Sequence, residues 1–177
     1  GKSTLAFHLV NYTLSINEEH PYIVKESKIN PDNKSYKLAI NGSNPNLLLV
    51  DILSEKKNID INQIREMITF TNKSTFKNMS KFILIDNIEY LNKNSINALL
   101  KVIEEPNDNV FFILISNSEK LILPTLISLS PANSSPIFIT SIKSGIKGNP
   151  WELKLDKLLS LLWPFEAIYR IADIGLM

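Results

Sequence analysis

Three short apolar runs decide most of what this chain can fold into. Leu47 to Ile52, Phe82 to Ile85 and Val110 to Ile115 are nearly continuous in Leu, Ile, Val and Phe, with Asp51 the one acid among them. A strand with one wet face alternates apolar and polar side chains. A strand apolar at every position is covered on both faces, as in parallel sheets. Between the runs lie stretches with helical spacing. Leu5, Ala6, Phe7, Leu9, Val10 and Leu14 follow Gly1-Lys2-Ser3-Thr4 with few breakers, which predicts a helix starting at the glycine. Asp60 and Gln63 form a capping-box-like pair, and Ile61, Ile64 and Ile68 then share one face. Asn92 or Asn94 caps a further helix with the stripe Ile96, Leu99, Leu100 and Ile103, and Pro106 stops it.

Strands alternating with helices give an α/β fold, a parallel sheet flanked by helices. Ligands in such sheets lie at the carboxyl ends of the strands. Gly1 to Thr4, Asp86 and Asn117 are all expected at that edge. Residues 17 to 36 are polar, include Pro21 and Pro31, and read as a long excursion. No internal repeat is evident.

Composition removes several classes of function. The chain has 177 residues, 44% of them hydrophobic, which is room for one domain or one domain and part of a second. No apolar run approaches the roughly 18 residues of a membrane span and no segment reads as a secretory leader, so a cytoplasmic protein without a membrane partner is expected. Cysteine is absent, which excludes disulfides, a cysteine nucleophile and a thiolate zinc site. His8 and His20 are the only imidazoles, so no zinc is expected. A net charge of +1 does not demand a nucleic-acid partner, and Arg65 and Arg170 are the only arginines among many lysines. No basic stripe interleaved with aromatics suggests a direct DNA-binding module.

The chemistry starts at the first residue. Gly1-Lys2-Ser3-Thr4 before a helix is the second half of a phosphate-binding loop: backbone N–H groups and the helix N-terminus hold phosphate oxygens. Lys2 would reach the β and γ phosphates and Ser3 would ligate Mg²⁺. The glycine-rich stretch and strand that complete such a loop are expected upstream of Gly1. Asp86, closing an apolar run, suits the acid that steers Mg²⁺; a solvated strand-end carboxylate is the plainer alternative. Asn87 follows, and an amide takes no proton as a general base. Asn117, closing the next run, is placed to hydrogen-bond a γ phosphate or simply to satisfy a turn. His8 within the apolar helix reads as a packed, hydrogen-bonded histidine. Glu104-Glu105-Pro106 reads as a solvated helix end.

The stretch from Phe82 to Pro106, FILIDNIEYLNKNSINALLKVIEEP, is more specific than the loop. Its Asn97-Ala98-Leu99-Leu100-Lys101 and Glu104-Glu105-Pro106 resemble the signature that follows the Mg²⁺-binding acid in the clamp-loader ATPase family. Phe111 to Asn117 is similar to that family's sensor strand, and Leu123-Pro124-Thr125-Leu126 to the start of its next helix. Asn41 to Asp51 and Ile59 to Arg65 resemble, within the family, the delta-prime type of subunit of bacterial DNA polymerase III. The absence of zinc-binding cysteines is a third feature in its favour.

The resemblance covers about residues 1 to 126. It implies a P-loop AAA+ core lacking its first strand. It also implies a role beside tau/gamma and delta subunits in a loader that uses ATP to place the sliding clamp on primed DNA. Gly1, Lys2, Ser3, Thr4 and Asn117 would contact nucleotide, with Ser3 and Asp86 serving Mg²⁺. With Asn87 where active members carry an acid, the expectation is binding without hydrolysis of its own.

A second departure lies further on. The family carries Ser-Arg-Cys where this chain reads Ser128-Leu129-Ser130, and leucine offers no charge to a phosphate. From 127 to 177 no lid or collar is recognisable. A diverged lid, or a reading frame that slips near Ile127 to give a non-native tail, are the two accounts, with the second preferred and poor packing on the core expected. A tau/gamma-type loader ATPase and a self-sufficient P-loop NTPase or phosphotransferase are the competing functional readings.

Overall fold

The computed structural model describes residues 2–73, 79–104, 107, 109–116 and the backbone of 137–140. The described residues fall into two compact units, 2–44 and 45–140. The boundary expected between 126 and 127 lies outside them.

In the first unit, helix α1 spans Lys2–Ser15 and helix α2 spans Lys34–Ile40, with a 3-10 turn at Val24–Glu26 between them. The predicted first helix is therefore present. Its buried side chains include Ala6, Val10 and Leu14, and Phe7 meets Tyr36 of α2 edge-on at 6.2 Å. Helix α2 was hidden in the sequence because its start falls in the polar excursion and it has only seven residues. An adjacent cap and a distant carboxylate hold it. The Asn33 side chain caps it by accepting from the Tyr36 N–H at 2.7 Å. Glu18 accepts from the backbone N–H groups of Lys34 and Ser35, placing a carboxylate on the helix's positive end. Beyond α2 the chain turns at Gly42 with φ of 62°, where glycine avoids a Cβ penalty.

The second unit contains a sheet in the order β1-β2-β3-β4, parallel throughout. The strands are β1 Leu47–Val50, β2 Lys81–Ile85, β3 Val110–Ile115 and β4 Ile137–Thr140; the first three coincide closely with the three apolar runs. All five residues of β2 are buried; for Phe82 to Ile85 the unbroken apolar run demands it. Helices α3 Ile61–Asn72 and α4 Lys93–Glu104 complete the unit, and Ile64, Met67, Leu99 and Ile103 seat them in a core with Ile83, Ile85 and Phe112. The capping box is present in full: Asp60 accepts from the Gln63 N–H at 3.1 Å while the Gln63 side chain accepts from the Asp60 N–H at 3.1 Å. Asn92, not Asn94, caps α4, accepting from the Ser95 N–H at 2.9 Å.

One buried residue contradicts its type. Lys81 is fully buried at the start of β2, yet its ammonium has work to do. It donates to the carbonyls of Phe70, at 2.8 Å, and Lys73, and it lies 4.8 Å from the Phe70 ring centroid. Asn107 donates to Thr71 at 3.2 Å. Together they satisfy the carbonyls that the end of α3 leaves without helical partners. Burial, and then the nearby Lys73, hold the Lys81 amine below its usual pKa of 10.5.

Candidate functional site

The carboxyl ends of β1 and β2 are joined by side chains. The Asp86 N–H donates to the Val50 carbonyl at 2.9 Å, extending the ladder one residue past β2. Asp86 then turns back, one carboxylate oxygen accepting from the N–H of Asn87 at 2.8 Å. Asn87 adopts the left-handed conformation, φ 55° and ψ 44°, which asparagine tolerates better than most residues. From there its amide donates to the Asp51 carboxylate at 2.8 Å. The same Asp51 oxygen accepts from the Ile52 N–H at 2.6 Å, and the Asp51 carbonyl accepts from Gln63 at 2.7 Å.

This arrangement explains the amide at position 87. A second carboxylate there would sit against Asp51 and lose the cross-strand donor. Position 87 thus ties two strand ends together. Asp86 itself is partly buried at the sheet edge where an α/β protein presents its ligand-facing groups.

Ser3 and Thr4 lie in the first turn of α1, and no acidic residue stands in that turn. A helix start free of carboxylates fits an anionic phosphate, because the helix's positive end is not already neutralised. Gly1 and Asn117, and likewise Glu105, Pro106 and Leu123 to Leu126, lie outside the described residues. Glu104 is exposed at the end of α4. His8 is a packed histidine, as expected, with Nδ1 2.8 Å from the Tyr22 hydroxyl. Burial lowers its pKa, opposed in part by a bond to Ser27, and burial pushes the Tyr22 phenol up to about 12. Among the described residues no group of three or more His, Asp or Glu is gathered as a metal cluster, and no helix is long and apolar enough to cross a membrane.

A family model described as DNA polymerase III, delta subunit matches residues 1–131. The chain belongs to that family. Among curated relatives, a DNA polymerase III subunit delta' from Pseudomonas aeruginosa is 29% identical over 104 residues, covering 59% of this chain and 32% of that protein. A DNA polymerase III subunit delta' from Buchnera aphidicola subsp. Baizongia pistaciae is 36% identical over 73 residues, covering 41% of this chain and 22% of that protein. A DNA polymerase III subunit gamma from Buchnera aphidicola subsp. Acyrthosiphon pisum is 37% identical over 68 residues, covering 38% of this chain and 19% of its own length. The chain therefore spans about a third or less of the polymerase III subunits it matches.

Sequence reasoning missed Asp51 and Gln63 as members of this strand-end network, and Lys81 as a helix cap. A faint signal existed for the first: Asp51 is the acid near the end of one apolar run as Asp86 follows the next, and parallel strands of equal register bring such ends side by side.

Proposed function

We propose that this chain forms the ATPase-fold part of a clamp-loader subunit, of the delta-prime type, acting mainly as a structural partner within the loader. The observation that carries the reading is the role of Asn87. The residue after the Mg²⁺-associated acid is committed to an amide link with Asp51 and supplies no base for an attacking water. Membership of the DNA polymerase III delta subunit family supports it, as do relatives named subunits delta' and gamma.

On this reading ATP with Mg²⁺ is a ligand of the fold. The nucleotide supplies binding energy that orders the subunit, and the ion neutralises its phosphates. Gly1, Lys2, Ser3 and Thr4 would take the phosphates, Ser3 and Asp86 would serve the ion, and Asn117 would reach the terminal phosphate. The carboxylate-free first turn of α1 supports the phosphate assignment. The partners are tau/gamma and delta subunits, with the sliding clamp and primed DNA met through the complex, in the cytoplasm. The relative named subunit gamma keeps a tau/gamma-type loader ATPase as the second reading.

Gel filtration of the purified chain with bacterial gamma and delta subunits tests the proposal. Co-elution in a complex that gamma and delta do not form without it is the expected result. A chain that elutes alone at micromolar concentrations, while gamma and delta assemble without it, contradicts the proposal.

A further inference from the structure

The outer edge of β1 is closed at both ends and open between them. Val50 and Asn46 give their carbonyls to the β2 side. In a parallel ladder the peptide groups of Leu47 and Leu49 then face the other way. Among the described residues β1 pairs with β2 alone. Pro45 has no N–H to offer on that edge, and the Asp51 carbonyl is taken by Gln63 at 2.7 Å. What remains is a window centred on the exposed Leu49, with the Leu47 side chain itself buried and with none of the lysine or proline that usually blunts a sheet edge within it.

The side chains beside the window match its backbone. Leu49 is 48% exposed and Leu53 49% exposed, while the neighbouring Leu47 and Val50 of β1 are buried. A cavity of about 330 Å³ opens beside them, and Asp51, Lys56, Asp60 and Glu66 contribute its charges. Lys56 is already bonded to Asp60, so Asp51 and Glu66 give the cavity an uncompensated negative character.

We propose that this edge receives an extended segment of a partner protein, which adds a strand beside β1. Apolar side chains of the segment cover Leu49 and Leu53, and a lysine or arginine reaches Asp51 and Glu66. The charge selects the occupant. A second copy pairing through the same edge offers only residues 44–50 near Asp51, and these include no lysine or arginine. This inference does not rest on the proposed nucleotide binding and stands or falls without it.

Fluorescence anisotropy on the full chain tests it with two dye-labelled peptides of alternating valine and threonine, one ending in arginine and one in glutamate. Saturable binding of the arginine peptide is expected, with the glutamate peptide at least about tenfold weaker. Leu49→Lys and Glu66→Lys should each weaken the arginine peptide several-fold while leaving the circular dichroism spectrum unchanged; agreement of the two variants guards against a folding defect in either. Equal binding of the two peptides, no saturation at millimolar peptide, or indifference to both substitutions overturns the proposal. So does a concentration-dependent dimer of the chain that Leu49→Lys abolishes, because that assigns the edge to a second copy.

Discussion

Asn87 carries two separable burdens, a left-handed backbone and an amide donated to Asp51 at 2.8 Å. Asn87→Gly keeps the backbone conformation and deletes the amide. A charge-assisted hydrogen bond to an exposed carboxylate is worth about 1 kcal/mol net, so this variant should lose about that much. Asn87→Asp also tolerates the backbone, but it sets a second carboxylate against Asp51. Two unit charges 4 Å apart repel by about 1 kcal/mol in water and about 4 kcal/mol at an effective dielectric of 20. Asp51 is exposed, which favours the lower end. Asn87→Asp should therefore cost about 2 kcal/mol at pH 7, moving a urea midpoint down by about 1 M. Urea unfolding of the full chain, followed by circular dichroism, measures both variants. The pH dependence separates repulsion from the lost bond. The close pair makes ionisation harder in the folded state than in the unfolded chain, so the added penalty grows as pH rises through the carboxylate range and vanishes below about pH 3. If Asn87→Asp matches the parent chain at pH 7, or if its penalty over Asn87→Gly is the same at pH 3, the strand-end link is not what position 87 provides.

Three further outcomes follow from the second unit. Lys81→Met should destabilise the chain by about 2 kcal/mol, because it strands the Lys73 carbonyl and leaves that of Phe70 with the Lys73 N–H alone, and amide exchange should accelerate first in residues 68 to 72. The Asp60 carboxyl is held below its usual value by its bond to Lys56 and by the N–H groups it caps. Its contribution to stability is thus present above pH 3.8 and lost as pH falls through its lower folded-state value; an Asp60→Asn variant should flatten that part of the acid-unfolding curve. Leu99→Ala removes a fully buried side chain between α4 and the sheet and should cost about 3 kcal/mol, read as a lowered thermal midpoint.

The parallel sheet was legible because double burial leaves an unmistakable mark: Phe82 to Ile85 has no polar position at which a wet face fits. The start of α3 was legible for the same reason of locality, since Asp60 and Gln63 cap each other within one turn. Helix α2 was not, because Glu18, sixteen residues upstream of Lys34, supplies its anion. Nothing local in the sequence marks Lys81; only the fold brings the carbonyls of Phe70 and Lys73 to its ammonium. At the site, Asp86 and Asn87 were singled out from their place after an apolar run. The reason for the amide stayed hidden because Asp51 is thirty-six residues away in sequence. Register alone joins them: Val50 pairs with Ile85, so the residues just past each strand meet.

On the proposed function, this ATPase-fold chain serves a loader without hydrolysing nucleotide by itself. Phosphate release from ATP by the purified chain alone, with Mg²⁺ present, tests it most directly. No release above that of protein-free buffer is expected. Sustained Mg²⁺-dependent release that Asp86→Asn abolishes would contradict it and favour a self-sufficient phosphate-transferring enzyme.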